Sequence, residues 1–253
     1  QSETFKWTAS LTYSMNKNKL LSLSSDPTYQ LTNDFIDVGY TGEPIQTNTH
    51  RIQVGQPIGN FWGYKSIGVG ADGEWIIEGK DGVQKSIVDA SEVDKQYLGN
   101  GLPKSYFGFN NTFNYKNFDL TVNLRGAFGF QILNFSRMYY ENTYDLAYNK
   151  LASAFDKVYG QDLKSQLCYV SHYLEQGDYV KLDNVTLGYN FDVKNSKVVK
   201  NARVYASGLN LVTITGYKGI DPEVNRSGLS PGNDERDKYP TTRTFSIGVN
   251  VTF

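Results

Sequence analysis

Ser171, His172 and Asp178 bring a hydroxyl, an imidazole and a carboxylate into one short stretch. These are residue types of nucleophilic catalysis, where a base must sit within hydrogen-bond reach of its nucleophile. Neighbouring residues of a strand project to opposite faces, so Ser171 and His172 make a poor nucleophile–base pair. His50 stands alone, and no stretch resembles a serine elbow or a zinc motif. The single cysteine, Cys168, cannot form an internal disulfide and lacks the setting of an activated thiol. The acids of ADGEWIIEGKDG, namely Asp72, Glu74, Glu78 and Asp81, do not have the spacing of a calcium loop. No catalytic residue, metal or cofactor is therefore expected, and the chain is not read as an enzyme.

The remaining candidates act without covalent chemistry. Asp221 and Glu223 lie in GYKGIDPEV (Gly216–Val224) and could accept hydrogen bonds from sugar hydroxyls or hold a cation. The alternative is structural: an Asp-Pro step starts a turn and organises its loop. The aromatic rings of Trp62, Tyr64, Trp75, Tyr139, Tyr140 and Tyr144 could stack on sugar faces. With 19 Tyr in 253 residues, loop packing accounts for such rings equally well. Lys194, Lys197 and Lys200 read as a solvated basic turn. A balance of 25 basic against 26 acidic residues gives no bulk attraction for nucleic acid.

The elements that must position these residues are strands, read by period-two alternation. Phe245, Ile247, Val249, Val251 and Phe253 share one face at the end of the chain. Phe118, Leu120, Val122, Leu124, Phe128 and Phe130 do so after the tight turn at Tyr115–Asn117, opposite Asp119, Thr121, Asn123 and Arg125. Phe107, Phe109, Phe113 and Tyr115 oppose Gly108, Asn110, Thr112 and Asn114. Val185, Leu187, Tyr189 and Phe191 form another stripe, and Phe5, Trp7, Ala9, Leu11 and Tyr13 a first one. Over Asn201–Val212 the pattern is weaker, with Tyr205, Leu209 and Leu211 on one side. A further strand ending near Ser24, and two at 49–69 around a tight turn at Gly55–Pro57, bring the total to nine; seven remains open. A helix is conceivable at Asn149–Lys164.

Short connections (15–18, 115–117, 192–200) alternate with long ones (25–48, 70–103, 140–177, 213–240). If strands run up and down, every long loop falls at one end, as in outer-membrane barrels. Spans of ten residues or more suit a tilted bilayer crossing. Tyr13, Phe113, Tyr115, Phe118, Tyr189, Phe191 and Phe253 are expected at the short-turn end, as an interfacial aromatic girdle. In that setting the apolar stripes meet lipid and the polar stripes line a wet interior. The alternative is a soluble or surface-exposed carbohydrate-binding β-sandwich, with the stripes packed between two sheets.

Four segments carry a resemblance: GLPKSYFGFNNTFNYKNFDLTVNLRGAFG (Gly101–Gly129), EQGDYVKLDNVTLGYNF (Glu175–Phe191), ARVYASGLNLVTITGYKGIDPEV (Ala202–Val224) and YPTTRTFSIGVNVTF (Tyr239–Phe253). With GQPIGNFWGYKSIGV (Gly55–Val69), they resemble the C-terminal part of a SusC/RagA-type TonB-dependent transporter. That resemblance implies an all-β fold, the C-terminal portion of an antiparallel transmembrane β-barrel of about 22 strands. It implies the outer membrane of Gram-negative, Bacteroidota-type bacteria, and import of glycans, oligosaccharides or peptides. The implied partners are a SusD-like surface lipoprotein, the TonB complex through N-terminal regions absent from these residues, outer-membrane lipid, and the barrel-assembly machinery through Phe253. Residues 1–253 are then expected to be barrel only. The start at QSETFKW, with neither Met nor a leader, fits a mature or truncated beginning.

Overall fold

The structure, a computed structural model, describes residues 4–24, 34–144, 149–193 and 198–253. In chain order its strands are β1 (Phe5–Met15), β2 (Phe35–Tyr40), β3 (Asn48–Gln53), β4 (Asn60–Gly63), β5 (Lys65–Val69), β6 (Trp75–Glu78), β7 (Gln84–Ser86) and β8 (Gln96–Asn100). They continue as β9 (Ser105–Tyr115), β10 (Phe118–Phe128), β11 (Gln131–Asn134), β12 (Leu174–Gln176), β13 (Tyr179–Phe191), β14 (Asn201–Thr215), β15 (Asn233–Asp234) and β16 (Thr244–Thr252).

Six of these form one antiparallel wall in the order β1-β9-β10-β13-β14-β16. The expectation of nine strands is corrected to six among the described residues. Residues 16–24 form no strand, and β1 pairs directly with β9 from Phe5↔Tyr115 to Met15↔Ser105. No intervening pair is then needed to restore the up-and-down order. The turn near Gly55 exists, with Gln56 N donating to Gln53 O, but β3 and β4 on either side of it belong to the small sheet β2-β3-β4-β8.

The wall has two chemically distinct faces. On one, Phe118, Leu120, Val122 and Leu124 meet Tyr189, Leu187, Val185 and Leu182 across the ladder, and these continue to Val204, Ala206, Gly208 and Val212. Phe245, Ile247 and Val249 complete the face at 75, 85 and 68% exposure, so no second sheet among the described residues covers it. The other face carries Asp119, Thr121, Asn123 and Arg125. One row across it, Thr8, Thr112, Thr121, Thr186, Ser207 and Ser246, places a hydroxyl on every strand. An uncovered apolar face of this size is a liability in water and an asset against hydrocarbon. Among the described residues the interleaved layers of a sandwich are not present.

The faces of β14 differ from the expected ones. A bulge at Asn210, with φ of 53°, interrupts the ladder between Leu182 and Asn184 of β13. Asn tolerates this left-handed backbone. Tyr205 and Leu209, before the bulge, lie on the polar face, opposite Gly188 and Asn184, and past it Leu211 folds beside Gly208 on the apolar face.

The turn at Lys116–Asn117 and the connection 192–200 share one end of the wall, with Lys194 and Lys197 outside the described residues. All long excursions (16–104, 129–178 and 216–243) leave from the other end. They fold together as a cap: β11 pairs with both β12 and β15, and Tyr64 bridges to Val170. Phe61, Trp75, Leu133, Met138, Tyr169, Val170 and Tyr173 form its core. The one α-helix among the described residues is α1 (Phe135–Tyr140), capped by the Asn134 side chain accepting from Arg137 N. The helix expected within 149–164 is reduced to a 3-10 turn at Ala152–Phe155. Among the described residues no helix is long and apolar enough to cross a membrane.

Tyr115, Phe118, Tyr189 and Phe191 cluster at the short-turn end, with Phe118 and Tyr189 ring centroids 4.9 Å apart. Phe253 follows β16 at the same end. Tyr13 is corrected to the loop end, opposite Phe107, and Phe5 takes the expected place opposite Tyr115. Phe107 and Phe128 stack there at 5.7 Å, so aromatics mark both ends of the apolar face.

Candidate functional site

The loop end of the wall, where the polar face runs into the cap, holds a network of ion pairs. Lys181 of β13 is buried, and its ammonium donates to Asp221 Oδ1 and Oδ2 (3.1 and 2.9 Å) and to Glu223 Oε2 (2.5 Å). Arg125 of β10 bridges Glu223 and Asp183, and Tyr179 donates to Glu223. Lys238 donates to the backbone carbonyls of Asp221 and Glu223 at 2.8 and 3.1 Å. Burial alone would raise the Glu223 pKa, but the hydrogen bonds from Arg125 and Lys181 outweigh it and hold the group down at about 2. Both acids of GYKGIDPEV are thus occupied in tying excursion 216–243 to the wall. The Asp-Pro turn is also present, with Glu223 N donating to Asp221 Oδ1.

Sequence reasoning named Asp221, Glu223 and Arg125 but missed Lys181, Lys238 and Asp183 as their partners. The available signal was a lysine on the inner stripe of a strand at the rim of an acidic loop.

Among the aromatic candidates, the cap takes most of the rings. Trp75 is fully buried against His172 and Tyr173, with centroids 5.0 and 5.9 Å away. Trp62 lies edge-on to Tyr97 and under the Arg51 guanidinium, which is itself held by Asp37. Tyr139 is buried, donates to the carbonyls of Thr41 and Gly42, and carries Arg236 over its ring at 4.0 Å. Tyr64 and Tyr140 are half-buried against the same core, and burial pushes the Tyr64 phenol up to about 12. Tyr144 alone of the six is exposed, its hydroxyl accepting from Gln166 Nε2 at 2.9 Å.

The residues of nucleophilic type are engaged elsewhere. Ser171 and His172 sit in a 3-10 turn, not a strand. The Ser171 hydroxyl lies 3.1 Å from that of Ser66, and Arg137 donates to His172 Nε2 at 3.2 Å. Burial first, and then the neighbouring Arg137 charge, lower the His172 pKa to about 4. Burial raises Cys168 to about 12, so its thiolate is not accessible near neutrality. Among the described residues no group of His, Cys, Asp and Glu is placed to hold a metal.

No protein-family model matches the sequence. Known proteins do. The chain is 29% identical over 275 residues to TonB-dependent receptor P3 of Formosa agariphila, and 30% identical over 290 residues to receptor P26 of the same organism. Over almost its whole length the chain is similar to TonB-dependent receptors. TonB-dependent receptor SusC of Bacteroides thetaiotaomicron is 25% identical over 269 residues. These matches take in 98, 100 and 98% of the chain but 27, 28 and 24% of the relatives, so the chain spans about a quarter of their length. In fold, it superposes over its whole length on 28% of a chain of the RagAB peptide transporter, at a TM-score of 0.77 and 20% identity. The SusC/RagA-type relatives are receptors and transporters, not enzymes, and the six-stranded wall is a partial antiparallel β-barrel of the same kind.

Proposed function

We propose that this chain is the C-terminal part of the barrel wall, with its extracellular cap, of a TonB-dependent outer-membrane importer. The observation that carries the reading is the division of the wall: one face apolar and uncovered, the other hydroxylated and ion-paired, with every long excursion at one end. A bilayer outside and water inside account for all three features together. β1 and β16 are the outer strands of the sheet, and closure takes further strands of a larger barrel of about 22. The likeness to SusC and RagAB supports import of glycans, oligosaccharides or peptides, with a SusD-like surface lipoprotein over the cap.

TonB coupling is assigned to the parts of the transporter that this chain, about a quarter of its relatives' length, does not span. The buried aromatics and the Lys181 network form the platform of the mouth, and Tyr144 is the loop ring left to meet cargo. The test is cellular. The intact transporter should fractionate with outer membranes and migrate faster on gels when unheated. Deleting its gene should abolish growth on its cargo. Recovery of the folded protein in the soluble fraction would defeat the reading and favour the sandwich alternative in function, if not in fold.

A further inference from the structure

Just inside the rim, where the polar face of β9 meets the cap, lies a cavity of about 1020 Å³. It is at the upper end of the size range of ligand sites. Seven of its lining residues carry side-chain amides. Three of these build the walls. Asn18 accepts from Ile58 N, Asn100 donates to Ile58 O and Asn60 Oδ1, and Asn60 completes that pair. Asn16, Gln56 and Gln176 make no side-chain hydrogen bond among the described residues, and Gln131 uses only its oxygen, accepting from Asn100 N. Gly99 leaves room for that amide: a Cβ there would fall 1.4 Å from Gln131 Oε1, and the Gln131 side chain would have to move. Tyr106, on the polar stripe opposite Ala127, adds a half-buried ring whose hydroxyl has no partner among the described residues.

The charge of the lining is one-sided. Lys17 and Lys104 contribute two ammonium groups, and among the described residues neither meets a carboxylate and no Asp or Glu lines the cavity. We propose that this cavity is a cargo subsite for anionic, hydroxyl-rich oligosaccharides. The inference rests on the import reading and gives that mouth a specificity. Free amides donate and accept at once, which suits hydroxyls that do the same. The ring offers an apolar platform to a sugar face. The two lysines favour acidic groups on the sugar and oppose cations. A peptide brings an amino terminus, and among the described residues this lining has no carboxylate to receive it.

The experiment measures binding by the intact transporter purified in detergent. The probes are a hexamer of galacturonic acid, a glucan hexamer of equal length and an acidic hexapeptide. The uronate should bind at least tenfold tighter than the glucan at low salt, and the advantage should shrink as salt rises. Lys17→Gln with Lys104→Gln should remove that advantage, and Gln56→Ala with Gln176→Ala should weaken the uronate at least fivefold. Unheated gel mobility checks that each variant is still a barrel. Equal affinity for uronate and glucan, preference for the peptide, indifference to either pair of substitutions, or binding of no probe by a folded barrel would overturn the subsite and leave import standing. A protein that never reaches the outer membrane would overturn the import reading on which the subsite rests.

Discussion

The wall and the cap solve the same problem, an all-β chain with many polar groups, in opposite ways. In the wall, strands of 9 to 15 residues satisfy one another's backbones, and the side chains are sorted by parity into an apolar and a polar face. In the cap, strands of 2 to 6 residues cannot hold a sheet alone, and side chains carry the long-range ties. One such tie runs from Asn233 Nδ2 to Thr49 Oγ1, from that hydroxyl to His50 Nδ1, and from His50 Nε2 to Pro231 O. The wall is therefore tolerant on one face and intolerant on the other, whereas the cap depends on a few buried polar residues.

The largest effect is expected where the two regions join. Lys181→Met removes the cation that serves both Asp221 and Glu223 and leaves Asp221 buried beside an apolar chain. Breaking a buried ion pair from one side costs about 3–5 kcal/mol. Hydrogen exchange of the intact transporter should show excursion 216–243 released from the wall while the β10–β13 ladder stays protected. Unchanged protection across 216–243 would mean that the network is not what holds the cap down.

A paired substitution in one strand sharpens the contrast between faces. Ile247→Arg places a charge on the apolar face of β16 and should cost about 2–4 kcal/mol near the middle of the bilayer. Ser246→Arg, one residue away on the polar face, should change stability by less than about 0.5 kcal/mol. Unfolding in lipid vesicles measures both. Equal costs would remove the assignment of lipid to one face and water to the other.

Acid should open the cap before the wall. Burial lowers the His50 pKa to about 4 against the opposing effect of its bond to Pro231, and burial with Arg137 does the same for His172. A depressed base binds fewer protons folded than unfolded. Its contribution is thus intact above about pH 6.5, is lost as pH falls, and levels off below about 4. At pH 5.5 the loss is on the order of 1 kcal/mol per histidine. Proteolysis of cap loops should accelerate over that range, with His50→Gln and His172→Gln each flattening the profile.

The same contrast decides what the sequence made legible. Long strands announce themselves because period-two alternation is written in the residues themselves, and the end-to-end asymmetry of connections follows from their lengths. Two features of the wall stayed hidden. The bulge at Asn210 changes parity within β14, so Leu209 and Leu211 share a side in the sequence and not in the sheet. The pairing of β1 with β9 spans residues 16–104, and an apolar run such as 19–24 imitates a strand without any ladder to join. In the cap little was legible, because its strands are short and their partners lie in other excursions. Trp75 and Tyr139 looked like binding rings for the same reason: an aromatic in a loop is a core residue once the loops fold against one another.

The smallest effect tests the boundary case, a polar residue on the apolar face. Asn111 shares the apolar stripe of β9 with Phe109 and Phe113, yet it is buried. Trp7 of β1 lies over it, its Nε1 donating to Asn111 Oδ1 at 3.1 Å while its ring stacks parallel to Phe113 at 6.0 Å. An amide facing hydrocarbon needs such a donor, since lipid supplies none. Trp7→Phe keeps a ring against Phe113 and removes the hydrogen bond, which should cost about 1 kcal/mol. Adding Asn111→Val to that variant should restore most of the loss, because the orphaned amide is then gone as well. If the double variant is no more stable than Trp7→Phe alone, the indole acts on this face only as bulk, and Asn111 must be satisfied from elsewhere.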